Sequence, residues 1–469
     1  MSNEDSGKLW RLAPILVAVA AGAALVLWWK GGHEPALSLR APGTDAAPGE
    51  TGGSGVNPVL AGRLIRGDGV APTNGSGVWP GFRGPGLSGA TTATVPLARS
   101  WEGGGPRVVW SVEAGEGYAG AAIRNGRVYL MDYDHEKKQD ALRCLSLADG
   151  REIWRFTYPV SVKRNHGMSR TVPVVTDRWV VAIGPKCHVV CVDAISGELK
   201  WGMDMVRQFG TKVPQWYAGQ CPLVDGDRLI LAPAGKEALL AAVDLASGRV
   251  LWQTPNPNGW AMTHSSITPF DFNGRREYAY CASVGVVGVD AATGALLWET
   301  PDWKISIATV PSPVSLEGGR LFLSGGYNAG ALMLQLKEEG GKVLPQIAYR
   351  LPAEVFGSTQ HTPLLHDGLL WGTRPDGRFV CLDPAGKVVW ASDKGINFGL
   401  GPYLRADDLL YVLSGDGKLV LMEANPSRFT PLAQAQVVGH ESWGPLALAD
   451  GRLVARDLTH LVCIDLAAK

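Results

Sequence analysis

The chain has 469 residues, and its 44 Lys and Arg residues equal its 44 Asp and Glu residues, so the formal net charge is zero. A neutral chain lacks the basic stripe of a nucleic-acid-binding protein, and its 60 Gly and 31 Pro exclude a protein built mainly from long helices. The length allows several domains or one large repeat array, and the composition favours short strands joined by tight turns.

An uncharged apolar run, LAPILVAVAAGAALVLWW, occupies residues 12–29 near the N-terminus. Its length is close to the minimum for crossing a bilayer, and the paired Trp28 and Trp29 suit a membrane–water interface. We therefore predict a single transmembrane signal anchor over 12–30. A cleaved signal peptide is the alternative, because AVAAG resembles a small-residue cleavage site.

The segments on either side of this run differ in charge and composition. Lys8 and Arg11 precede it, which favours a short cytoplasmic N-terminus over 1–11 and a chain that continues outside the cytoplasm. Residues 31–78 are rich in Gly, Pro, Ala, Ser and Thr and show no hydrophobic periodicity. This stretch is predicted to be a flexible linker that joins the anchor to a folded domain over 79–469.

One phrase recurs along the folded part of the chain. It reads CVDAISGELKW at 191–201, AVDLASGRVLW at 242–252 and GVDAATGALLW at 288–298. The tryptophans at its end lie 47, 51 and 46 residues apart, at Trp154, Trp201, Trp252 and Trp298. A period of this size indicates a solenoid or a propeller.

Each repeat contains four segments that read as strands. The first opens at a proline, which removes no ladder hydrogen bond there. These prolines are Pro173, Pro222, Pro269, Pro313, Pro363, Pro402 and Pro445. The small-residue turn comes between the third and fourth strands, where Asp hydrogen-bonds the backbone two residues on and Gly supplies a positive φ. Four antiparallel strands in about 45 residues are typical of a β-propeller blade, so the phrase is predicted to be structural.

The two ends of the array complete each other. The last unit stops after Asp465 without its Trp-bearing strand, and the strand around Trp110 has no preceding three. Joining them closes a ring and removes exposed sheet edges. With the unit at 121–156 this gives eight blades. Units five (313–350) and seven (402–437) lack the Trp phrase, so seven blades is the alternative.

The phrase D-x-x-[ST]-G-x-x-x-W resembles the tryptophan-docking PQQ-like repeat of the quinoprotein alcohol dehydrogenase-like superfamily, where PQQ is pyrroloquinoline quinone. The resemblance covers about 106–469. WPGFRGPGLSG (79–89) and VPQWYAGQCPLVDGDRLIL (213–231) resemble segments of a bacterial branch of PQQ-binding-like propellers. The resemblance to the PQQ-like repeat implies an all-β, eight-bladed propeller of four-stranded antiparallel blades, closed by N- and C-terminal strands. With the predicted anchor, this places a single-pass protein in a bacterial cytoplasmic membrane with its propeller in the periplasm.

The same resemblance bears on cofactors. Some members of the superfamily are dehydrogenases that use calcium and PQQ, with two adjacent cysteines, calcium ligands of Glu, Asn and Asp, and a catalytic Asp. Others are scaffolds, including an outer-membrane-assembly lipoprotein. None of the seven cysteines here is adjacent to another, and the ligands and base do not map onto this sequence. We predict no catalytic or metal-binding residue and no cofactor, with PQQ and calcium kept as the alternative.

The mouth of the central channel is the natural binding face of a propeller, and the residues just before the first strand of each blade should line it. The polar and aromatic candidates there are Arg170, Trp216, Gln220, Trp260, His264, His361 and Trp443. Aromatic rings converging with a few polar groups are typical of a ligand site. A packed and hydrogen-bonded channel wall is the structural alternative.

Three functions remain open at this point. The first is a membrane-anchored, extracytoplasmic propeller that acts as a non-catalytic binding or scaffold module for protein partners. The second is a PQQ-dependent oxidoreductase, and the third is a propeller that binds a glycan or a peptide. We expect protein partners outside the cytoplasmic membrane, a small ligand in the channel as a further candidate, and no nucleic acid.

Overall fold

The computed structural model describes residues 17–27, 56–73, 75–101 and 103–468. The chain divides into two compact units, Met1–Ser54 and Gly55–Lys469. In the first unit, residues 17–27 form helix α1, and the rest of the predicted anchor lies outside the described residues. Among the described residues no helix is long and apolar enough to cross a membrane.

The second unit consists mainly of β-strands. Three strands precede the first blade: β1 (Arg63–Arg66), β2 (Ala90–Thr91) and β3 (Val108–Glu113). The strands of blades one to four are β4 (Ala121–Arg124), β5 (Arg127–Asp134), β6 (Gln139–Ser146), β7 (Glu152–Pro159), β8 (Val174–Val175), β9 (Trp179–Ile183), β10 (His188–Asp193), β11 (Leu199–Asp204), β12 (Leu223–Asp225), β13 (Arg228–Leu231), β14 (Ala241–Asp244), β15 (Val250–Gln253), β16 (Thr268–Phe272), β17 (Arg275–Ala282), β18 (Gly285–Asp290) and β19 (Leu296–Thr300).

The remaining blades follow in the same order. Their strands are β20 (Val314–Leu316), β21 (Arg320–Gly325), β22 (Gly330–Glu339), β23 (Lys342–Leu351), β24 (Leu364–His366), β25 (Leu369–Thr373), β26 (Phe379–Leu382), β27 (Val388–Ala391), β28 (Tyr403–Ala406), β29 (Leu409–Leu413), β30 (Lys418–Glu423), β31 (Pro431–Gln436), β32 (Ala447–Ala449), β33 (Arg452–Arg456) and β34 (His460–Asp465). Short helical turns occur at Pro58–Ala61, Pro85–Leu87 and α2 (Met205–Phe209).

The described strands form eight sheets, each with a core of four antiparallel strands. In blade eight, β32, β33 and β34 come from the C-terminus, and β3 from the N-terminal side pairs with β34. Trp110 lies opposite Cys463 in this pairing. The prediction of an eight-bladed propeller closed by its two ends is confirmed, and the seven-bladed alternative is wrong because units five and seven are complete blades.

The recurring phrase holds neighbouring blades together. The ring of Trp154 in blade one lies against Gly197 in the turn of blade two, where an added Cβ would come within 2.5 Å of the indole. Gly197 has φ 74°, a conformation that glycine adopts without strain. The other pairs of this kind are Trp110 with Gly150, Trp201 with Gly248 and Trp252 with Gly294. These four interfaces, from blade eight to blade four, are called the regular half.

The acidic residue of the phrase fixes the turn that presents the glycine. Asp193 Oδ1 accepts hydrogen bonds from the backbone N–H of Ile195 at 3.1 Å and of Ser196 at 2.8 Å. These bonds lower the pKa of Asp193 against the opposing effect of its partial burial. The phrase is therefore a docking device, with its Trp facing one neighbour and its turn receiving the Trp of the other.

The four interfaces from blade four round to blade eight are called the irregular half. Trp390 of blade six still donates its indole N–H to the Asn425 carbonyl of blade seven at 3.0 Å, and the other three interfaces use different contacts. Trp298 turns back over Gly288 of its own blade and donates its indole N–H to the buried Glu277 at 2.9 Å. Tyr349 occupies the Trp position of blade five and lies on Gly386 of blade six. Ala433 occupies this position in blade seven.

The predicted linker over 31–78 differs from the structure at residues 56–73, which belong to the propeller unit. Strand β1 pairs with β7 and adds a fifth strand to the outer edge of blade one. Val59 is fully buried and fills the space above Gly202 of blade two. Composition alone suggested a flexible stretch, whereas a few apolar side chains dock it onto the blades. Residues 31–55 lie outside the described residues.

The segment 79–91 runs across the inside of the ring. Trp79 forms a bridge with Ile123 of blade one, and the Pro80 carbonyl accepts from the backbone N–H of Val175 in blade two at 2.7 Å. Farther on, Arg83 donates to the Thr362 carbonyl of blade six at 2.6 Å. Blades two and six are opposite each other in an eight-membered ring, so the segment crosses the central channel.

Candidate functional site

A cavity of about 330 Å³ lies at the centre of the propeller, on the face where the outer strand of one blade leads to the inner strand of the next. Each of the eight blades contributes to its lining from the loop that precedes its innermost strand. In blade order, one lining residue from each of these loops is as follows: Tyr118, Arg170, Trp216, His264, Val310, His361, Leu400 and Trp443. The cavity therefore depends on all eight blades, because each blade supplies part of its wall.

The crossing segment closes this cavity from below. Phe82 lines the cavity, and its neighbour Arg83 fixes the segment to blade six through the carbonyls of Thr362 and Pro363, at 2.6 and 2.9 Å. The central channel is thus blocked at Phe82, and the cavity is a cup that opens to one face.

Aromatic rings form two opposed parts of the cup wall. Tyr118 and Trp443 stack with their ring centroids 5.1 Å apart, and the Tyr118 hydroxyl donates to Glu441 at 2.6 Å. Across the cup, Trp216 and His264 lie 6.4 Å apart, centroid to centroid. Trp216 and Trp443 are half-buried, and aromatic rings with an accessible face are able to stack on a flat or ring-shaped ligand.

Three histidines line the cup, and the two buried ones, His264 and His361, are neutral at pH 7. Burial lowers the pKa of His264 to about 4, with a smaller contribution from the positive charge of Arg170. Burial also lowers the pKa of His361 to about 4, and the charge of Arg83 acts in the same direction. The ring of His264 has room because residue 219 is glycine, where a Cβ would lie 2.7 Å from Nδ1. A neutral imidazole carries one donor and one acceptor nitrogen.

Arg170 is the one cationic side chain among the buried and half-buried lining residues. Its Nε donates to the Trp216 carbonyl at 2.5 Å, and its Nη2 donates to the carbonyls of Asn165 and His166 at 2.9 and 2.8 Å. Its Cζ lies 5.3 Å from the centroid of the Tyr118 ring. Burial lowers the pKa of Arg170 to about 10, which leaves it charged at neutral pH.

Backbone strain is concentrated around this rim. His166, Tyr217, Tyr327 and Glu441 have φ values of 50°, 66°, 56° and 58°. Elsewhere in the blades this conformation is mostly adopted by Asn or Asp in hairpin turns, such as Asn125. Bulky residues in the left-handed region cost free energy and cluster at ligand sites, so the rim has the character of a binding surface.

Five of the seven predicted channel residues line the cup: Arg170, Trp216, His264, His361 and Trp443. The other two do not. Gln220 is buried and bonds the backbone of Ala232 with both ends of its amide, at 3.0 and 2.9 Å. Trp260 is buried in the core between blades two, three and four. Both positions were predicted from proximity to the marker prolines, which does not show whether a side chain points into the channel or into the blade interface.

The sequence prediction missed several lining residues. Tyr118 precedes the one blade whose first strand has no marker proline, Phe82 lies far outside the repeat, and Tyr327 lies between the second and third strands of its blade. The position of Tyr118 was available from the repeat register, because every other blade was searched at the same phase. No signal in the sequence placed Phe82 under the channel.

A protein-family model described as outer membrane protein assembly factor BamB matches residues 137–392, which is more than half of the chain. The chain belongs to this BamB family. The match confirms the predicted PQQ-like repeat propeller and extends from blade one into blade six. No curated protein sequence is significantly similar to the chain.

Solved structures with the same fold include both a BamB protein and dehydrogenases. BamB from Moraxella catarrhalis has a TM-score of 0.52 and 13% identity, with 77% of this chain and 100% of that chain covered. Quinohemoprotein alcohol dehydrogenase from Comamonas testosteroni has a TM-score of 0.59 and 12% identity, with coverage of 84% and 81%. A europium-containing methanol dehydrogenase has a TM-score of 0.57 and 12% identity, with coverage of 81% and 89%. At these identities the likeness concerns the fold alone.

The donor set of the cup does not fit PQQ with calcium. Calcium takes carboxylate and carbonyl oxygens as ligands, and the described lining contains no Asp or Glu. No group of three or more His, Cys, Asp or Glu residues in the described part of the chain is arranged to hold a metal ion. All seven cysteines are buried and unpaired, and burial raises the pKa of Cys221 at the cup to about 11. The described lining of the cup therefore does not supply the ligands that calcium beside PQQ would need.

Proposed function

We propose that this chain is a non-catalytic scaffold that binds other proteins through the face of the propeller that carries the cup. Membership of the BamB family supports a protein-interaction module. The observation that carries the proposal for this face is the convergence of eight loops on a strained, aromatic rim. Aromatic residues supply a large part of the binding energy of protein interfaces.

The chemistry of the cup favours binding over catalysis. His264 is followed by Ser265 and Ser266, but Ser265 is fully buried and the Ser266 hydroxyl accepts the backbone N–H of Cys221 at 3.0 Å. The cup lining holds no carboxylate to orient a histidine as a general base. Covalent hydrolysis of the Ser–His type uses a nucleophile, a base and an orienting group arranged in this way.

The proposal includes attachment to a bacterial cytoplasmic membrane with the propeller in the periplasm. Its support is the uncharged run at 12–29, with Lys8 and Arg11 before it. A fusion of alkaline phosphatase to the C-terminus of the full chain tests it. We expect enzyme activity and recovery with the membrane fraction. Loss of activity in the full-length fusion, with activity gained by a cytoplasmic reporter, would contradict this orientation.

Site-specific photocrosslinking tests the binding face. A photoreactive residue in place of Tyr327, whose side chain is 40% exposed at the cup rim, should give a discrete crosslinked protein in intact cells. The matched control is Ile195, which is 48% exposed in a turn at the opposite end of its strands. Crosslinks of equal yield from both positions, or from Ile195 alone, would overturn the assignment of the binding face. The partner is identified by mass spectrometry and confirmed with the purified pair.

A further inference from the structure

The charges around the cup are not balanced. Arg170 is in the wall and Arg83 is in the crossing segment next to Phe82, and neither forms an ion pair with a described acidic residue. Arg456, behind Tyr118 and Trp443, differs because the negative charges of Asp132 and Asp457 act on it. A buried cation without a nearby anion is costly. Glu441 accepts a hydrogen bond from the Tyr118 hydroxyl at 2.6 Å, so the carboxylate that contacts the cup wall forms no direct ion pair with either arginine.

Arg170 also has hydrogen-bonding capacity left over. Its Nε and Nη2 groups donate to backbone carbonyls of Trp216, Asn165 and His166. Its Nη1 group has no acceptor among the described residues, although it carries two N–H groups. The carbonyl contacts fix the guanidinium plane, so that Nη1 is positioned before any ligand arrives. An arginine held in this way is suited to a carboxylate.

The rest of the wall selects the shape of the ligand. The half-buried rings of Trp443, which stacks on Tyr118, and of Trp216 offer faces to a flat ring. His264 and His361 are neutral, and His166 lies at the exposed rim, so the buried part of the cup suits a single carboxylate better than a polyanion. Because Phe82 closes the floor, a ligand enters by one end and does not pass through.

We propose that the cup binds a ligand that carries an aromatic ring next to one carboxylate, with the carboxylate on Arg170 and the ring between the aromatic walls. The same chemistry has two sources: a small aromatic acid, or the last residue of a peptide chain. A volume of about 330 Å³ is at the lower end of the range for small-molecule sites. This inference does not depend on the scaffold proposal, since a partner protein could bind the rim with the cup unoccupied.

Calorimetry with the full-length protein in a mild detergent tests the inference. Indole-3-acetate is compared with indole-3-acetamide, which has the same ring and no charge. A pentapeptide ending in Trp with a free carboxylate is compared with its amidated form. We expect each acid to bind at least tenfold more tightly than its amide. Binding by indole-3-acetate identifies a small acid as sufficient, and binding by the peptide acid alone identifies a chain terminus.

Two arginine variants distinguish binding at Arg170 from nonspecific attraction of an anion to the positive charge of the protein. Arg170→Gln should weaken binding of the acid at least tenfold, with little change for the amide. Arg164→Gln is the matched control, because Arg164 is at the rim, exposed and paired with Glu116, and it should leave affinity within twofold. If Arg170→Gln does not fold, Trp443→Leu serves as the second variant and should abolish binding of the acid. The proposal is overturned if acid and amide bind the native protein within threefold of each other, or if neither acid binds at 10 mM.

Discussion

The two halves of the propeller ring solve the same packing problem in different ways. In the regular half, the indoles of Trp110, Trp154, Trp201 and Trp252 each lie on a glycine of the next blade. In the irregular half one Trp turns back on its own blade, a Tyr replaces another, and an Ala occupies the position in blade seven. Trp390 of blade six still donates its indole N–H to blade seven. The docking phrase therefore accounts for only part of the ring.

The chain before blade one compensates for what the irregular half lacks. Arg83 anchors it to blade six and β2 pairs with β28 of blade seven. Farther on, Leu97 forms a bridge with Ala467 of blade eight, and Trp101 packs on the same core cluster as Ala433. Contacts from a distant part of the sequence replace the repeated contact, so a ring can lose its repeat phrase without losing its closure.

The largest expected effect comes from breaking a contact of the regular half. Trp154 is fully buried on Gly197, and Trp154→Ala should lower the free energy of unfolding by ~3–5 kcal/mol, as for other buried aromatic side chains. Denaturant unfolding followed by far-ultraviolet circular dichroism measures this. Ala433→Leu, a change at the same position of the irregular half, should cost far less. Equal losses at both would show that the two halves do not differ as described.

The two buried histidines of the cup come one from each half, His264 from blade four and His361 from blade six. Their pKa values are lowered from 6.5 to about 4 in the folded protein. Between these values the unfolded chain binds more protons than the folded one, so stability falls as pH drops from about 6.5 to about 4 and then levels off. We expect a loss on the order of 2 kcal/mol for each histidine, after allowance for solvent in the cup.

Thermal unfolding across this pH range measures the effect. His264→Gln and His361→Gln should each flatten the pH dependence by a similar amount, because both shifts arise mainly from burial. A pH profile that neither change alters would show that neither imidazole is kept neutral by the fold.

A substitution of the glycine in the docking turn, in place of the Trp that lies on it, tests the same kind of contact. At Gly294 an added Cβ would lie 2.4 Å from the indole of Trp252, so Gly294→Ala should cost about 1–3 kcal/mol through overpacking and backbone strain. Gly259 has φ 62° and open space around it, and Gly259→Ala reports the backbone strain alone. A Gly294→Ala loss no larger than that of the control would remove the indole contact from the explanation.

The smallest effect concerns the salt bridges that tie the N-terminal chain to blade seven. Arg99 contacts Asp408 at 2.5 Å and Glu423 at 2.7 Å with about half of its side chain exposed. Arg99→Ala should cost about 0.5–1 kcal/mol at low ionic strength, and less in 0.5 M salt because exposed ion pairs are screened. A loss that does not change with salt would indicate that Arg99 acts through packing.

The repeat allowed most of the ring to be predicted from the sequence, because a phrase with fixed spacing determines strand order and register. The pairing around Trp110 and Cys463 followed from two incomplete units that needed each other. The blade-five position of Tyr349 was not predicted, since a Tyr in a longer hairpin breaks the spacing of the phrase. The cup was predicted only as a ring of loops. Whether a side chain points inward, as His264 does, or into the core, as Trp260 does, depends on packing between blades, which spacing does not encode.

The position of residues 79–91 inside the ring has a consequence for biosynthesis. This stretch leaves the ribosome before any blade does, so the blades can assemble around it and nothing has to be threaded through a finished ring. Strand β34, by contrast, is made long after β3, the strand with which it pairs. The ring therefore cannot close until β34 has left the ribosome, and a product that stops before residue 460 would leave β3 without its partner.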